Sequence, residues 1–195
     1  MNEKRLVRIC WNTNEWKKPS GKKGKSKSKE TFENSKGFGG EEWLFDFDKL
    51  IDGYKYGFLQ PLWYEDDYRQ GAIYSVQGKI YDIGLYSINS INKRYYWIGK
   101  ILNVVGLYDT EIKEITKIYE EQKWNKDILK DLNAIGLFDY DDKPTEYSFF
   151  TDIKFKPSDA ILEDKPILIN PKEILTRVTR YTFLTENYYP LDFKK

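Results

Sequence analysis

Apolar and polar positions along the chain form more strand patterns than helix patterns. Residues 6–11 are apolar and partly β-branched, which predicts a first strand. Residues 79–88 and 94–105 flank a polar turn at 89–93 and predict neighbouring antiparallel strands. Residues 42–52 fit either a strand or a short helix. Further strand patterns cover 54–63, 72–76 (joined to 79–88 by the hairpin signal Gln77-Gly78), 147–156, 167–169 and 180–185.

A helix pair is predicted between the two groups of strands, over residues 109–136. Ile112 and Ile115 recur at helical spacing behind Asp109, a residue type that caps helices, and the pattern resumes near 124 and ends at Gly136. Strands, then helices, then strands predict an α+β, mainly β fold. We expect one domain over 1–195, a small β-barrel with a helical insertion around 109–136.

Composition narrows the possible functions. The chain is 40% hydrophobic and 32% charged, which is typical of a globular protein, and it is rich in aromatic residues at 17%. The absence of histidine excludes HNH nucleases, histidine-dependent triads and zinc deaminases. One cysteine allows no internal disulfide or cysteine-based metal cluster. We predict no cofactor and no metal, and, without a signal-like or membrane-length apolar stretch, a cytoplasmic location.

A long polar segment, residues 12–40, interrupts the strand patterns and is longer than an ordinary connection. Its part from 17 to 29, here called the lysine segment, holds seven lysines and no acid. Such a string favours a nucleic-acid backbone, because neutralised phosphates release condensed counterions; the alternative is a solvated loop without a ligand. The predicted phosphate-binding residues are Lys17, Lys18, Ser20, Lys22, Lys23, Lys25, Lys27 and Lys29. A P-loop is rejected because only two residues separate its glycines.

Aromatic rings and amides flank this segment and predict a base pocket. Trp16 lies between charged neighbours and is the best candidate for an exposed ring, with Asn12 and Asn14 to read a base edge. Trp11, Trp43 and Tyr54 are further candidates, although rings of this kind also build cores, and Trp43 fits a core position well.

In several short stretches the chain resembles the PUA-like superfamily, particularly its EVE, ASCH and YTH members. The similarity rests on residues 96–101 (YWIGKI), 150–155 and 166–169. Residues 8–12 and 38–45 are similar to N-terminal DNA-reading domains of bacterial modification-dependent restriction systems. The resemblance implies a PUA-like barrel that takes a modified, extruded base into an aromatic cage, while a nuclease or NTPase module or subunit acts on the DNA. The lysine segment and the helix pair depart from a minimal EVE domain.

These observations predict a non-catalytic reader of nucleic acid, with DNA favoured over RNA and no membrane partner. Three alternatives stay open. The first is an RNA-binding PUA-like domain. The second is a metal-dependent PD-(D/E)xK-type nuclease built on Asp152-Ile153-Lys154 or Glu111-Ile112-Lys113, with Asp82 and Glu146 as partners. The third is a protein-interaction surface around the acidic residues 139–142.

Overall fold

A computed structural model of the chain describes residues 2–29, 31–59, 76–137 and 151–170, and the backbone of 181–183. In this part of the chain strands outnumber helices, so the predicted α+β, mainly β class is confirmed. The strands are β1 Glu3–Ile9, β2 Leu50–Ile51, β3 Tyr54–Gly57, β4 Ile80–Asn89, β5 Arg94–Gly106, β6 Ile153–Phe155, β7 Ala160–Ile169 and β8 Tyr181–Phe183. The α-helices are α1 Phe32–Lys36, α2 Asp109–Glu121 and α3 Trp124–Ala134.

The strands form one mixed sheet. Seven of them follow the order β2-β3-β6-β5-β4-β1-β8, and β7 pairs with β5 beside that path. The predicted hairpin at 89–93 is confirmed as the antiparallel pair β4–β5, but β1 runs parallel to β4, which sequence reasoning did not anticipate. The described strands do not close on themselves, so the expected barrel is not confirmed.

The long strand β5 organises the sheet because it has partners along both edges. It pairs with β4 on one edge, and on the other it pairs first with β7 and then, near its end, with β6. The register with β7 shifts beside Gly99, which has φ 146°. A Cβ atom at this position would lie 2.4 Å from the carbonyl oxygen of Ile161. Glycine is therefore required where β7 crosses closest to β5.

Buried apolar clusters lie on both faces of the sheet. Along β1, Val7 and Ile9 belong to the main core, whereas Leu6 packs with Tyr86 and Trp97 in a second cluster. Successive side chains of a strand point to opposite faces, so these clusters lie on opposite sides of the sheet. The helices add two further clusters, in which Ile115 of α2 packs with Tyr56 and Leu107, and Ile128 and Leu132 of α3 pack with Phe38 and Trp43.

The predicted helix pair is confirmed, with one difference at its start. Asp109 is the first residue of α2 rather than its cap, and Glu111 accepts a hydrogen bond of 3.3 Å from the backbone N–H of the capping residue Tyr108. Residues 42–52 form the end of a 3₁₀ turn, Gly40–Trp43, and the short strand β2. The strand patterns at 60–63, 72–75 and 147–150, and the acidic stretch 139–142, lie outside the described residues.

None of the described helices has the length and apolar character needed to cross a membrane.

Candidate nucleic-acid interface

A buried carboxylate holds the polar segment 12–40 in a fixed shape. The side chain of Glu42 is completely inaccessible and accepts hydrogen bonds from four residues, which form the Glu42 cluster. Its Oε1 accepts from Asn12 Nδ2 at 2.8 Å and from Ser20, at 2.9 Å from the backbone and 3.3 Å from the hydroxyl. Its Oε2 accepts from the backbone N–H of Gly39 at 3.1 Å and from Lys25 Nζ at 2.8 Å. The polar segment is therefore folded around this charge.

Asn12 is a structural residue of this cluster. Besides Glu42, its Nδ2 donates to the carbonyl oxygen of Lys18 at 2.9 Å. Its Oδ1 accepts from the backbone N–H groups of Asn14 and of Trp16, the latter at 3.1 Å. The prediction that Asn12 offers a free amide to a base edge is wrong, because its donors and its acceptor are occupied within the chain. Asn14 donates to the carbonyl oxygen of Pro19 at 2.9 Å and does not line the pocket described below.

The prediction that Trp16 is an exposed ring is also wrong. Its side chain is only 4% exposed and belongs to the main core. The indole Nε1–H donates to the carbonyl oxygen of Cys10 at 2.9 Å, and the carbonyl oxygen of Trp16 accepts from the backbone N–H of Phe45 at 2.9 Å. The charged neighbours Glu15 and Lys17 did not imply exposure of Trp16. Glu15 and Trp16 both adopt positive φ, so the backbone turns sharply here and the indole ring lies in the interior.

A pocket of about 570 Å³ nevertheless opens beside Trp16, at the junction of the first strand and the lysine segment. Trp11 and Tyr96 supply two half-buried rings whose centroids lie 5.0 Å apart at an angle of 54°. We call this site the ring pocket; its lining comprises Trp11, Asn12, Thr13, Glu15, Trp16, Lys17, Tyr96, Ile98, Leu162, Glu163, Asp164 and Pro166.

Three elements position the ring pocket. Trp11 follows β1, Tyr96 and Ile98 belong to β5, and residues 162–166 come from β7, which the glycine at position 99 allows to approach β5. The ring of Trp11 packs on Gly24 of the lysine segment, where a Cβ atom would lie 2.3 Å from Trp11 Cδ1. The aromatic wall and the lysine segment are therefore in direct contact.

Three carboxylates line the ring pocket in addition to its aromatic rings. Glu163 and Asp164 belong to β7, and Glu15 belongs to the polar segment 12–40. A hydrogen bond from Lys17 Nζ, 2.6 Å from the Glu15 carboxylate, lowers the pKa of Glu15, and the charge of Lys17 lowers it further. These groups can accept hydrogen bonds or attract a cation, and they repel a phosphate.

The lysine segment divides into buried and exposed residues. Lys25 is only 2% exposed and pairs with Glu42, and it also donates to the carbonyl oxygen of Gly21. The assignment of Lys25 to phosphate binding is therefore wrong, and Ser20 is likewise occupied by Glu42. The exposed lysines of the segment are Lys17, Lys18, Lys22, Lys23, Lys27 and Lys29.

Two predicted pocket rings lie elsewhere. Trp43 packs against α3, and its Nε1–H donates to Asp131 at 2.8 Å. Tyr54 packs near α2, with the ammonium groups of Lys154 and Lys156 lying 5.8 Å and 5.6 Å from its ring centroid. Tyr96 was missed as a pocket residue because it stands next to Trp97 in a strand that reads as core. The alternation of Tyr96 and Ile98 along β5 was the available signal for a shared face.

The residues of the nuclease alternative are engaged in structural contacts. Asp152 is buried and accepts from the backbone N–H of Leu59 at 2.9 Å. Lys154 Nζ lies 2.6 Å from Glu111, and this hydrogen bond raises the pKa of Lys154. Asp82 accepts from Asn2 and from the backbone of Asn103, and Glu146 lies outside the described residues. No group of three or more acidic or cysteine side chains in the described ranges could hold a metal ion.

No protein-family model matches the chain, and neither a curated protein nor a solved structure matches it.

Proposed function

We propose that this chain binds nucleic acid, with the exposed lysines on the phosphates and one extruded base in the ring pocket. The observation that carries the proposal is the direct packing of Trp11 on Gly24, which joins an aromatic pocket to a lysine-rich segment. A base removed from the stack needs a flat apolar surface, and the backbone around it needs cations. The two requirements are met side by side on this surface.

The ring pocket has a suitable size and chemistry for a base. Its volume of about 570 Å³ falls inside the range of roughly 300–1,000 Å³ that is usual for small-molecule sites. Stacking on a protein ring stabilises a bound base by about 1–3 kcal/mol. Trp11 and Tyr96 are half-buried, so part of each ring is available to a ligand while the rest is held by the fold.

The carboxylates of the ring pocket favour bases that present hydrogen-bond donors. An ionised Asp or Glu accepts only, and it pairs with an exocyclic amino group such as the cytosine N4. Glu163 and Asp164, rather than Asn12 and Asn14, are therefore the proposed hydrogen-bonding partners of the base edge. The pocket therefore selects the base itself, whereas the lysine segment carries the affinity for the backbone.

We further propose a non-catalytic role for the chain, with DNA favoured over RNA. The resemblance to PUA-like readers of modified DNA supports a role as the specificity module of a modification-dependent restriction system, in which a nuclease or NTPase module or subunit acts on the DNA. The engagement of Asp152 and Lys154 in structural contacts also favours a reader over a PD-(D/E)xK nuclease.

Removal of one pocket ring tests the proposal. The probes are short duplexes carrying one 5-methylcytosine, one 5-hydroxymethylcytosine or one N6-methyladenine, together with their unmodified twin, and binding is measured by fluorescence anisotropy. Trp11→Ala should abolish the preference for a modified duplex and leave the salt-dependent binding of the unmodified duplex in place. The matched control is Tyr108→Ala, which removes an exposed ring outside the pocket. An unchanged preference in Trp11→Ala contradicts the proposal.

A second candidate ligand is favoured by the acids of the ring pocket. Rings combined with Glu15, Glu163 and Asp164 form a site that also suits a quaternary or methylated ammonium group, through cation–π and ionic attraction. Choline distinguishes the two ligands. A cation site predicts that choline shifts the fluorescence of the wild-type tryptophans but not that of Trp11→Ala, and that added duplex does not displace it.

A further inference from the structure

The tip of the β4–β5 hairpin carries an exposed isoleucine with no role in the core. Ile91 is 63% exposed, the largest value among the exposed large hydrophobic residues of the described chain. It lies in the turn between Asn89, the last residue of β4, and Arg94, the first residue of β5. A single exposed aliphatic residue is ordinary on a protein surface, so its surroundings must decide whether it has a function.

The turn that presents Ile91 is held by its own polar groups. The Asn89 side chain accepts from the backbone N–H of Ile91 at 2.9 Å and of Asn92 at 3.4 Å. The Asn92 side chain accepts a hydrogen bond from the backbone N–H of Arg94 at 3.0 Å. Lys93 has φ 60°, and its backbone N–H donates a hydrogen bond to the carbonyl oxygen of Asn89. An apolar side chain on a fixed turn is prepared for insertion, because little ordering entropy is lost on binding.

Two hydrogen bonds tie this tip to the proposed binding surface. The backbone N–H of Ser90 donates to the carbonyl oxygen of Gly24 at 2.7 Å, and Gly24 packs on Trp11. The Asn92 side chain donates to the hydroxyl of Tyr96 at 2.9 Å. Both rings of the ring pocket are thus connected to the tip, and Tyr96 lies only two residues, roughly 7 Å of strand, beyond the start of β5.

Positive charge flanks the tip as well. Lys93 and Arg94 are exposed beside Ile91, and Ser90 of the same turn contacts Gly24 of the lysine segment. Phosphate backbones on either side of an inserted side chain need such cations. The hairpin therefore combines a rigid apolar point, flanking positive charge and a fixed connection to the ring pocket.

From this arrangement we infer that Ile91 is a wedge that enters the base stack of a duplex and occupies the space left by the extruded base. The inference rests on the proposed function and deepens it. Extrusion removes the stacking neighbours of the base, and proteins that distort DNA insert apolar side chains, isoleucine among them, between base steps. Ile91 does not contact the extruded base, which lies in the ring pocket, so it is a positioning residue.

The test separates duplex binding from single-strand binding. The probes are the modified duplex that the wild-type chain prefers in the panel above, and the modified strand of that duplex alone. Ile91→Ser should weaken duplex binding about tenfold, equivalent to about 1.4 kcal/mol of the stacking energy. Binding of the single strand should not change, because a single strand leaves no gap to fill. Ile91→Leu should retain wild-type duplex binding.

Ile80→Ser is the matched control, because Ile80 is 46% exposed and lies at the end of β4 that is far from the turn carrying Ile91. Equal duplex affinity of Ile91→Ser and wild type, while Trp11→Ala loses its preference, would overturn the wedge and keep the ring pocket. Equal losses on duplex and single strand would overturn the wedge in favour of a general contact. Absence of any preference in the wild type would overturn the proposed function and the wedge with it.

Discussion

Lys25 provides the sharpest test of how the lysine segment is built. The residue belongs to a lysine-rich run that suggests phosphate binding, yet its ammonium lies 2.8 Å from the buried carboxylate of Glu42. Lys25→Met keeps the length of the side chain and removes the charge. Glu42 is then a buried carboxylate with hydrogen bonds only from neutral groups of Asn12, Ser20 and Gly39.

Removal of one partner from a buried ion pair costs about 3–5 kcal/mol, because the remaining charge is left uncompensated. For a chain of 150–250 residues, each kcal/mol shifts the melting temperature by roughly 2–4 °C. We therefore expect Lys25→Met to lower the melting temperature by roughly 6–20 °C. Lys23→Met, an exposed lysine of the same segment, should change it little.

A double-mutant cycle identifies the partner. Glu42→Gln combined with Lys25→Met removes both charges, so the double variant should be more stable than the sum of the two single losses predicts. Urea unfolding of the four proteins gives the coupling energy, and binding to an unmodified duplex is measured in parallel. A Lys25→Met variant of wild-type stability with a shallower salt dependence of DNA binding would refute the reasoning and return Lys25 to the phosphate-binding residues.

Three further outcomes follow from the described contacts. Joint replacement of Lys22, Lys23 and Lys27 by Ala should reduce the steepness of the log-affinity against log-salt slope by roughly 2.7, because each lost phosphate contact removes about 0.9. The slope is measured by fluorescence anisotropy on an unmodified duplex. An unchanged slope would exclude these exposed lysines as phosphate contacts. Trp16→Ala should cost about 3–5 kcal/mol in urea unfolding, since a core indole is lost, whereas a near-neutral effect would show that the ring is dispensable to the core. Burial lowers the pKa of Lys55 from its ordinary 10.5 to about 8. Between about pH 8 and pH 10.5 the unfolded chain therefore binds more protons at this residue than the folded chain does. Lys55→Met should be more stable than wild type by roughly 3 kcal/mol at neutral pH, and the difference should shrink as pH rises from about 8 towards 10.5; a difference that is constant with pH would contradict this cause.

Sequence patterns predicted elements well where local signals and packing agree. The β4–β5 hairpin and the helix pair α2–α3 have turns and periodicities that the tertiary structure does not override. The parallel pairing of β1 with β4 depends on contacts between residues about 78 positions apart, and no local signal encodes such a pairing. Closure of the sheet is also a long-range property, and the described strands follow an open path.

The candidate site was found in outline from sequence but not in its details. The junction of the first strand with the lysine segment does hold a pocket, and Trp11 lines it. The burial of Trp16 and Lys25 could not be deduced from the sequence, because Trp16 packs in a core built from distant strands and Lys25 pairs with Glu42. A glutamate in the sequence EEW gives no indication that it will accept five hydrogen bonds in the interior.

The salt dependence of wild-type binding to an unmodified duplex, a modified duplex and a single-stranded RNA tests the central claim most directly. If each of the six exposed lysines of the lysine segment contacts one phosphate, the log-affinity against log-salt slope on duplex DNA is roughly −5.4. A modified base should add a constant factor in affinity at every salt concentration, because stacking in the ring pocket releases no counterions. RNA should bind more weakly than the modified duplex. Weak binding that does not change with salt, or equal affinity for the modified and unmodified duplexes, would contradict the account.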